Sequence, residues 1–199
     1  MVTMATLTEK EKKALLVLLK DFTAFYNANS ISKVLGMSRV GALKMFRRME
    51  KGGLIRSQTI GKSIVYKLRL EDDYVRKLAA FLLAEEANNF KRWKEEFKPL
   101  FRSNRIALLF GSSTINYEKA ADIDLLVAVE KKEREEVEKL LEERRQVLPK
   151  KLHSIILTPR ELLSNIKRKD AVILDIVRKG IILYGQDSYV EVMKNVSGQ

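Results

Sequence analysis

At 199 residues, 46% apolar and without cysteine, the chain is long enough for one large domain or two small ones and too apolar for wholesale disorder. Disulfides and thiolate metal sites are excluded, and no apolar run approaches the roughly 20 residues of a membrane span. The opening MVTMATLTEKEKK lacks the order of a secretory signal, so a cytoplasmic protein with no membrane partner is expected.

The net charge of +12 is unevenly placed. Residues 1–70 hold 14 Lys/Arg against 4 Asp/Glu, and the remainder holds 24 against 22, so the first third carries ten of the twelve excess charges. A polyanion is the natural partner for that third. Thr8 precedes EKEKKALLVLLKDF, which predicts a helix from about Glu9 to Phe22. Ser30 is a candidate cap for a short helix through Leu35, which Gly36 ends in a tight turn. Ser38 caps a second helix to about Lys51, with Val40, Leu43, Phe46 and Met49 as its expected buried stripe. The next stretch, LIRSQTIGKSIVYKLRL, reads as a hairpin turning at Gly61-Lys62, with Ile64, Tyr66, Leu68 and Leu70 on one face.

Helix, Gly turn, helix and basic hairpin, in this order over residues 8–70, resemble the winged-helix domains of prokaryotic transcription regulators. The resemblance implies double-stranded DNA as partner, with the helix Ser38–Lys51 in the major groove. On that basis Ser38, Arg39, Ala42 and Met45 are expected at base edges. Lys44, Arg47 and Arg48 are expected at phosphates, and Lys62 at the backbone or minor groove.

Residues 71–103 have helical composition, with acids at the start and Pro99 near the end. Leu78, Phe81, Leu82, Ala84, Phe90, Trp93 and Phe97 suggest one helix with a broad apolar face. Two uses are open for it: packing against the following domain, or pairing with its twin in a homodimer. Trp93 reads as core or interface rather than as a base-stacking platform.

Two apolar runs follow, Ile106–Phe110 and Ile123–Val129, each read as a strand covered on both faces. The first ends at Gly111-Ser112, and the second opens with Asp122-Ile123-Asp124. Residues two apart in a strand point the same way, so Asp122 and Asp124 project together near the Gly-Ser turn. Two adjacent carboxylates resist joint ionisation unless a cation sits between them, and oxygen ligands suit Mg²⁺ or, failing that, Mn²⁺. Gly111 lets backbone N–H groups approach a phosphate, and the Ser112 hydroxyl adds a hydrogen bond.

Gly-Ser followed about a dozen residues later by Asp-x-Asp resembles the signature of the polymerase-beta-like nucleotidyltransferases, especially their minimal domains. The resemblance covers about 104–185, including the closing IVRKGIILYG. It implies that Asp122 and Asp124 are catalytic metal ligands, with a nucleoside triphosphate as substrate or ligand. Such domains carry a third carboxylate on the following strand. Here that strand is LHSIIL, with His153 and Ser154 in the place to look, and Glu161 beyond it. A Gly common after Gly-Ser is also absent, with Asn116 near its place. Two functions therefore stand side by side: transfer of a nucleoside monophosphate to an acceptor, or a DNA-binding regulator whose nucleotidyltransferase-like domain senses nucleotide or binds a partner without turnover. Between and after these strands, KKEREEVEKLLEERRQVL predicts an exposed amphipathic helix, and helices are expected after Thr158 and from about Ala171 to Lys179.

The expected fold class is α+β. A winged helix of three helices and a β-hairpin spans 1–70, a helical connector 71–103, a mixed-sheet nucleotidyltransferase-like α/β domain 104–185, and a fraying tail 186–199.

Overall fold

The computed structural model describes residues 7–197. Residues 1–6, part of the stretch behind the expectation of no secretory signal, and 198–199, the end of the expected tail, lie outside the described residues. The chain is α+β and divides into two compact units, Met1–Ala79 and Ala80–Gln199. No helix among the described residues is long and apolar enough to cross a membrane.

In the first unit, α1 (Glu9–Lys20) starts at Thr8, whose side chain accepts from the Glu11 N–H while the Glu11 carboxylate accepts from the Thr8 N–H. Helix α2 (Ala28–Leu35) is capped at Asn27, three residues before Ser30. The Asn27 side chain accepts from the N–H groups of Asn29 and Ser30, and Ser30 returns a hydroxyl to the Asn27 N–H. An Asn is as good a cap as a Ser, so the reciprocal pair wins over Ser30 alone. Gly36 ends α2 in the left-handed region, at φ 58°. Helix α3 (Arg39–Lys51) is capped by Ser38, as expected.

The buried stripe of α3 keeps the expected Phe46 and Met49 but takes Ala42 and Met45 in place of Val40 and Leu43. Steps of three residues drift about 60° around a helix each time, whereas steps of three and four stay on one face. Val40 is accordingly 65% exposed. Strands β1 (Ile55–Ile60) and β2 (Ser63–Leu68) pair antiparallel around Gly61-Lys62, with Gly61 at φ 58°. Tyr66 packs tilted against Phe46, at 4.2 Å between ring centroids, and donates its N–H to the Tyr26 carbonyl. Helices α1 to α3 followed by this hairpin form the winged-helix arrangement.

A half-buried ion pair ties α1 to α3. The Glu11 carboxylate accepts from both Nε and Nη2 of Arg48 at 2.7 Å, besides closing its cap with Thr8. Its side chain is 3% exposed, while that of Arg48 is 59% exposed. Glu11→Ala removes the cap partner and both Arg48 contacts to Oε1 together, and Arg48 can rehydrate. Urea unfolding should therefore show a loss of roughly 2 kcal/mol, below the cost of breaking a fully buried pair.

The single connector helix expected over 71–103 is broken. Helix α4 (Asp73–Ala87) runs across the unit boundary and stops before Asn88-Asn89. A 3₁₀ turn, helix α5 (Lys91–Glu96) and a second 3₁₀ turn over Lys98–Leu100 follow. The side chains of Asn compete with the backbone and Pro99 supplies no N–H, so a continuous helix is not held here. Trp93, Phe97 and Leu100 turn into the core of the second unit, while Phe81 is exposed.

The second unit is built on a four-stranded mixed sheet in the order β5-β4-β3-β6. Its strands are β3 (Ile106–Phe110), β4 (Asp122–Ala128), β5 (Lys151–Leu157) and β6 (Ile181–Tyr184). Strand β3 is antiparallel to both β4 and β6, and β5 is parallel to β4. The parallel step requires a crossover, supplied by α6 (Arg134–Val147), which buries Val137 and Leu141. Leu109, Ile123, Leu125 and Val127 face Trp93, Phe97 and α6 in one core cluster. Helices α7 (Pro159–Lys167), α8 (Ala171–Lys179) and α9 (Gln186–Ser197) complete the unit. Helix α9 replaces the expected fraying tail. Tyr189, Val190, Val192 and Met193 share one face and are buried, with α9 against α7, β3 and β6.

Candidate functional site

The end of the central strands is assembled by two registers. Phe110 pairs with Asp124 across β3 and β4, which puts the next residue, Gly111, over the Asp124 carboxylate. Gly111 has φ 76° and ψ −164°, a region open essentially to glycine alone. A Cβ there would lie 2.1 Å from Asp124 Oδ2. Ser112 is exposed and opens a 3₁₀ turn, Ser112–Thr114, and the Thr114 hydroxyl donates to the Gly111 carbonyl.

The loop back to β4 is pinned by Lys150, whose Nζ donates to the carbonyls of Tyr117, Glu118 and Ala120. Tyr117 lies between the Arg92 guanidinium at 4.1 Å and Lys150 Nζ at 4.5 Å, edge-on to Trp93. Neither Lys150 nor Tyr117 carries a local signal for this role. Asn116 does not take a left-handed conformation: among the described residues, positive φ outside glycine occurs at Asn104 and Lys169. Its side chain instead accepts from the Lys119 N–H.

The second register is between β4 and β5, where Asp124 stands beside His153. His153 Nδ1 lies 3.3 Å from Asp122 Oδ2 and 3.6 Å from Asp124 Oδ1. One donor atom from each of the three residues falls within 4.8 Å of the others. Asp124 is the most enclosed, at 20% side-chain exposure. Burial, then the charge of Asp122, raises its carboxyl above the usual range, and His153 partly offsets this.

Ser154 is one residue on, so it faces the other side of the sheet, where its Oγ accepts from Arg145 Nη2 at 2.7 Å. Glu161 is spent on capping α7: it accepts from the Thr158 N–H and hydroxyl, and those bonds hold its carboxyl below the usual range. His153 is therefore what stands beside the two aspartates. Two carboxylates and one imidazole, half open to solvent and next to a Gly-Ser turn, fit a divalent ion that keeps water or phosphate in its remaining positions.

On the first unit, the exposed face of α3 presents Arg39, Val40, Lys44, Arg47 and Lys51, and Lys62 is exposed at the hairpin tip. Ala42 and Met45, expected at base edges, are buried and cannot reach a groove. The Ser38 hydroxyl accepts from the Gly41 N–H as the helix cap. Arg48 is drawn onto Glu11. Arg56 and Arg69 pair with Glu71, and Arg69 also with Asp72, so the basic face is concentrated on α3. Val40 is the residue the sequence pattern missed, although the spacing of Ala42, Met45, Phe46 and Met49 already placed it outside.

No protein-family model matches the chain, and no curated protein matches it. Among solved structures it is similar to a cysteine-to-serine mutant of Lactococcus lactis ZitR, at 12% identity over 73% of this chain and 78% of that one, with a TM-score of 0.38. It is also similar to Lactococcus lactis ZitR described as a zinc-responsive MarR family member, at 16% identity over 48% of this chain and 67% of that one, with a TM-score of 0.35. At these scores the likeness fixes neither fold nor function.

Proposed function

We propose that the chain is a DNA-binding regulator whose second unit holds a divalent ion, Mg²⁺ or Mn²⁺, together with a nucleoside triphosphate. The observation that carries the nucleotide half is the seating of Gly111 on Asp124, with Asp122 and His153 at the same point. The exposed basic face of α3 supports the DNA half. In this reading Asp122 and Asp124 hold the ion, Gly111 gives the phosphates close access to backbone N–H groups, and the Ser112 hydroxyl orients them. A bound divalent ion supplies charge neutralisation at a leaving pyrophosphate. Transfer of a nucleoside monophosphate is the fuller version of this function. The standing of His153 where nucleotidyltransferase-like domains carry a third carboxylate favours binding with slow transfer or none, a nucleotide-sensing role.

Melting of the full-length chain tests this. ATP with Mg²⁺ or Mn²⁺ at about 100 times the dissociation constant should stabilise it by about 2.7 kcal/mol, because only the folded state assembles the carboxylate pair. Asp124→Asn should remove the increment. No shift with metal and ATP, together with an Asp124→Asn variant that behaves as wild type, would sink the phosphate-site reading. Transfer of labelled nucleotide at ordinary enzymatic rates, lost in Asp124→Asn, would instead replace the sensor with an enzyme.

The same variant has a signature without ligand. The raised Asp124 carboxyl binds its proton more tightly in the folded chain than in the unfolded one. Stability from this group is present below the unfolded value of about 3.9 and lost as pH rises through the folded value. Metal-free Asp124→Asn escapes that loss. It should melt above wild type at neutral pH, with the difference closing below about pH 4.

A further inference from the structure

We infer that His153 is a third metal ligand and that it turns the Asp122–Asp124 site toward first-row transition ions, with Mn²⁺ held in preference to Mg²⁺. The inference rests on the metal site proposed above and concerns which ion that site takes.

Geometry comes first. Nδ1 of His153 does not sit against one carboxylate alone: it faces Asp122 Oδ2 at 3.3 Å and Asp124 Oδ1 at 3.6 Å. Neighbouring donors around an octahedral ion with bonds of about 2.1 Å are about 3 Å apart. His153 Nδ1 is therefore within about 0.3 to 0.6 Å of that spacing from each aspartate, and all three donors lie within 4.8 Å of one another, so side-chain rotation alone can bring them onto one coordination face. The backbone holds them there, because the parallel β4–β5 register sets Asp124 beside His153 and the alternation of β4 sets Asp122 on the same side. His153 is 46% exposed, which leaves the opposite face open to water and phosphate oxygens.

Chemistry then selects the ion. Mg²⁺ takes oxygen donors almost exclusively and gives up its water reluctantly. Imidazole suits the later first-row ions, and carboxylate suits Mn²⁺ as well as Mg²⁺. A third carboxylate would strengthen the Coulomb attraction for any divalent ion. A neutral imidazole supplies no charge, so it does little for Mg²⁺ and adds a nitrogen bond for a transition ion. Neither nearby alternative donor competes, since Ser154 faces Arg145 and Glu161 caps α7.

The test uses the full-length chain without nucleotide and Mn²⁺ as probe, followed by loss of the free-ion paramagnetic resonance signal and by Mg²⁺ competition. His153→Ala should weaken Mn²⁺ by at least about tenfold, the scale on which even outer partners of metal sites act, and change Mg²⁺ by less than about twofold. His153→Asp should tighten Mg²⁺ and narrow the preference. Bound Mn²⁺ in the wild type should show nitrogen hyperfine coupling in pulsed resonance, lost in both variants. Mn²⁺ affinity unchanged or raised in His153→Ala, or no nitrogen coupling, overturns the ligand role. If the ATP response that depends on Asp124 persists in that case, only this inference falls. A wild type that binds no Mn²⁺ overturns it too, and an ATP response that is also missing removes the underlying site.

Discussion

Duplex DNA should bind the full-length chain with an affinity that collapses as salt rises. Arg39, Lys44, Arg47 and Lys62 are exposed on the α3 face and the hairpin tip. If Lys44, Arg47 and Lys62 each neutralise one phosphate, log K falls against log salt with a slope of about −2.7, or roughly 40-fold between about 50 and 200 mM. Arg47→Ala should flatten the slope by about 0.9 and weaken all sequences alike. Arg39, next to the Ser38 cap at the N-terminal end of the reading helix, is placed for a base edge. Arg39→Ala should shift the preference between sequences by about 1–3 kcal/mol.

Arg48 separates this account from one built on charge alone. Its guanidinium is held by the buried Glu11, so Arg48→Ala should lower stability and leave the salt slope unchanged. Titration at several salt concentrations, with melting of each variant, reads both effects. No retarded band at low salt in a gel-shift assay removes the DNA half of the function. Equal slopes lost at Arg47 and Arg48 would mean that Glu11 does not withdraw Arg48 from DNA.

What the sequence made legible was what local chemistry decides. Thr8 before α1, Ser38 before α3, the Gly61-Lys62 turn and the Ala171–Lys179 helix are each set within a few residues, and each lies where the pattern places it. Asn27 and Ser30 both cap well, and only the reciprocal bond between them distinguishes the two. Ala42 and Met45 are buried because a helix of 3.6 residues per turn carries a three-and-four spacing, not a strict period of three, onto one face. The broken connector and α9 are different. Trp93 and Tyr189 are buried by residues distant in sequence, which no local pattern reports.

The candidate site divides in the same way. Asp122 and Asp124 share a side by strand alternation, and the sequence suffices for that. His153 reaches them only because α6 returns the chain so that β5 runs parallel to β4 in one particular register. A slip of one residue would have presented Ser154 instead and turned His153 to the far face. Lys150 likewise belongs to the site loop through carbonyls about thirty positions earlier in the chain, at separations of 30 to 33 residues.

Gly111→Ala should cost both stability and ligand response, and the two losses have separate causes. The backbone at φ 76° and ψ −164° is strained for any residue with a Cβ, by about 1–3 kcal/mol. The new Cβ would also meet Asp124 Oδ2 at 2.1 Å and Cγ at 3.0 Å. The Asp124 backbone is fixed in β4 by its pairing with Phe110, so relief comes from rotating its carboxylate away. That rotation takes an oxygen from the point shared with Asp122 and His153. The ATP-dependent and metal-dependent rise in melting temperature should therefore vanish even where the variant remains folded. Gly36→Ala is the matched control: Gly36 also has a positive φ, 58°, but a Cβ there meets nothing within 4 Å. Its variant should lose stability from the backbone alone and keep the full response to metal and ATP. If Gly111→Ala keeps that response, the carboxylate of Asp124 is not held by the glycine seat, and the seat is only a turn.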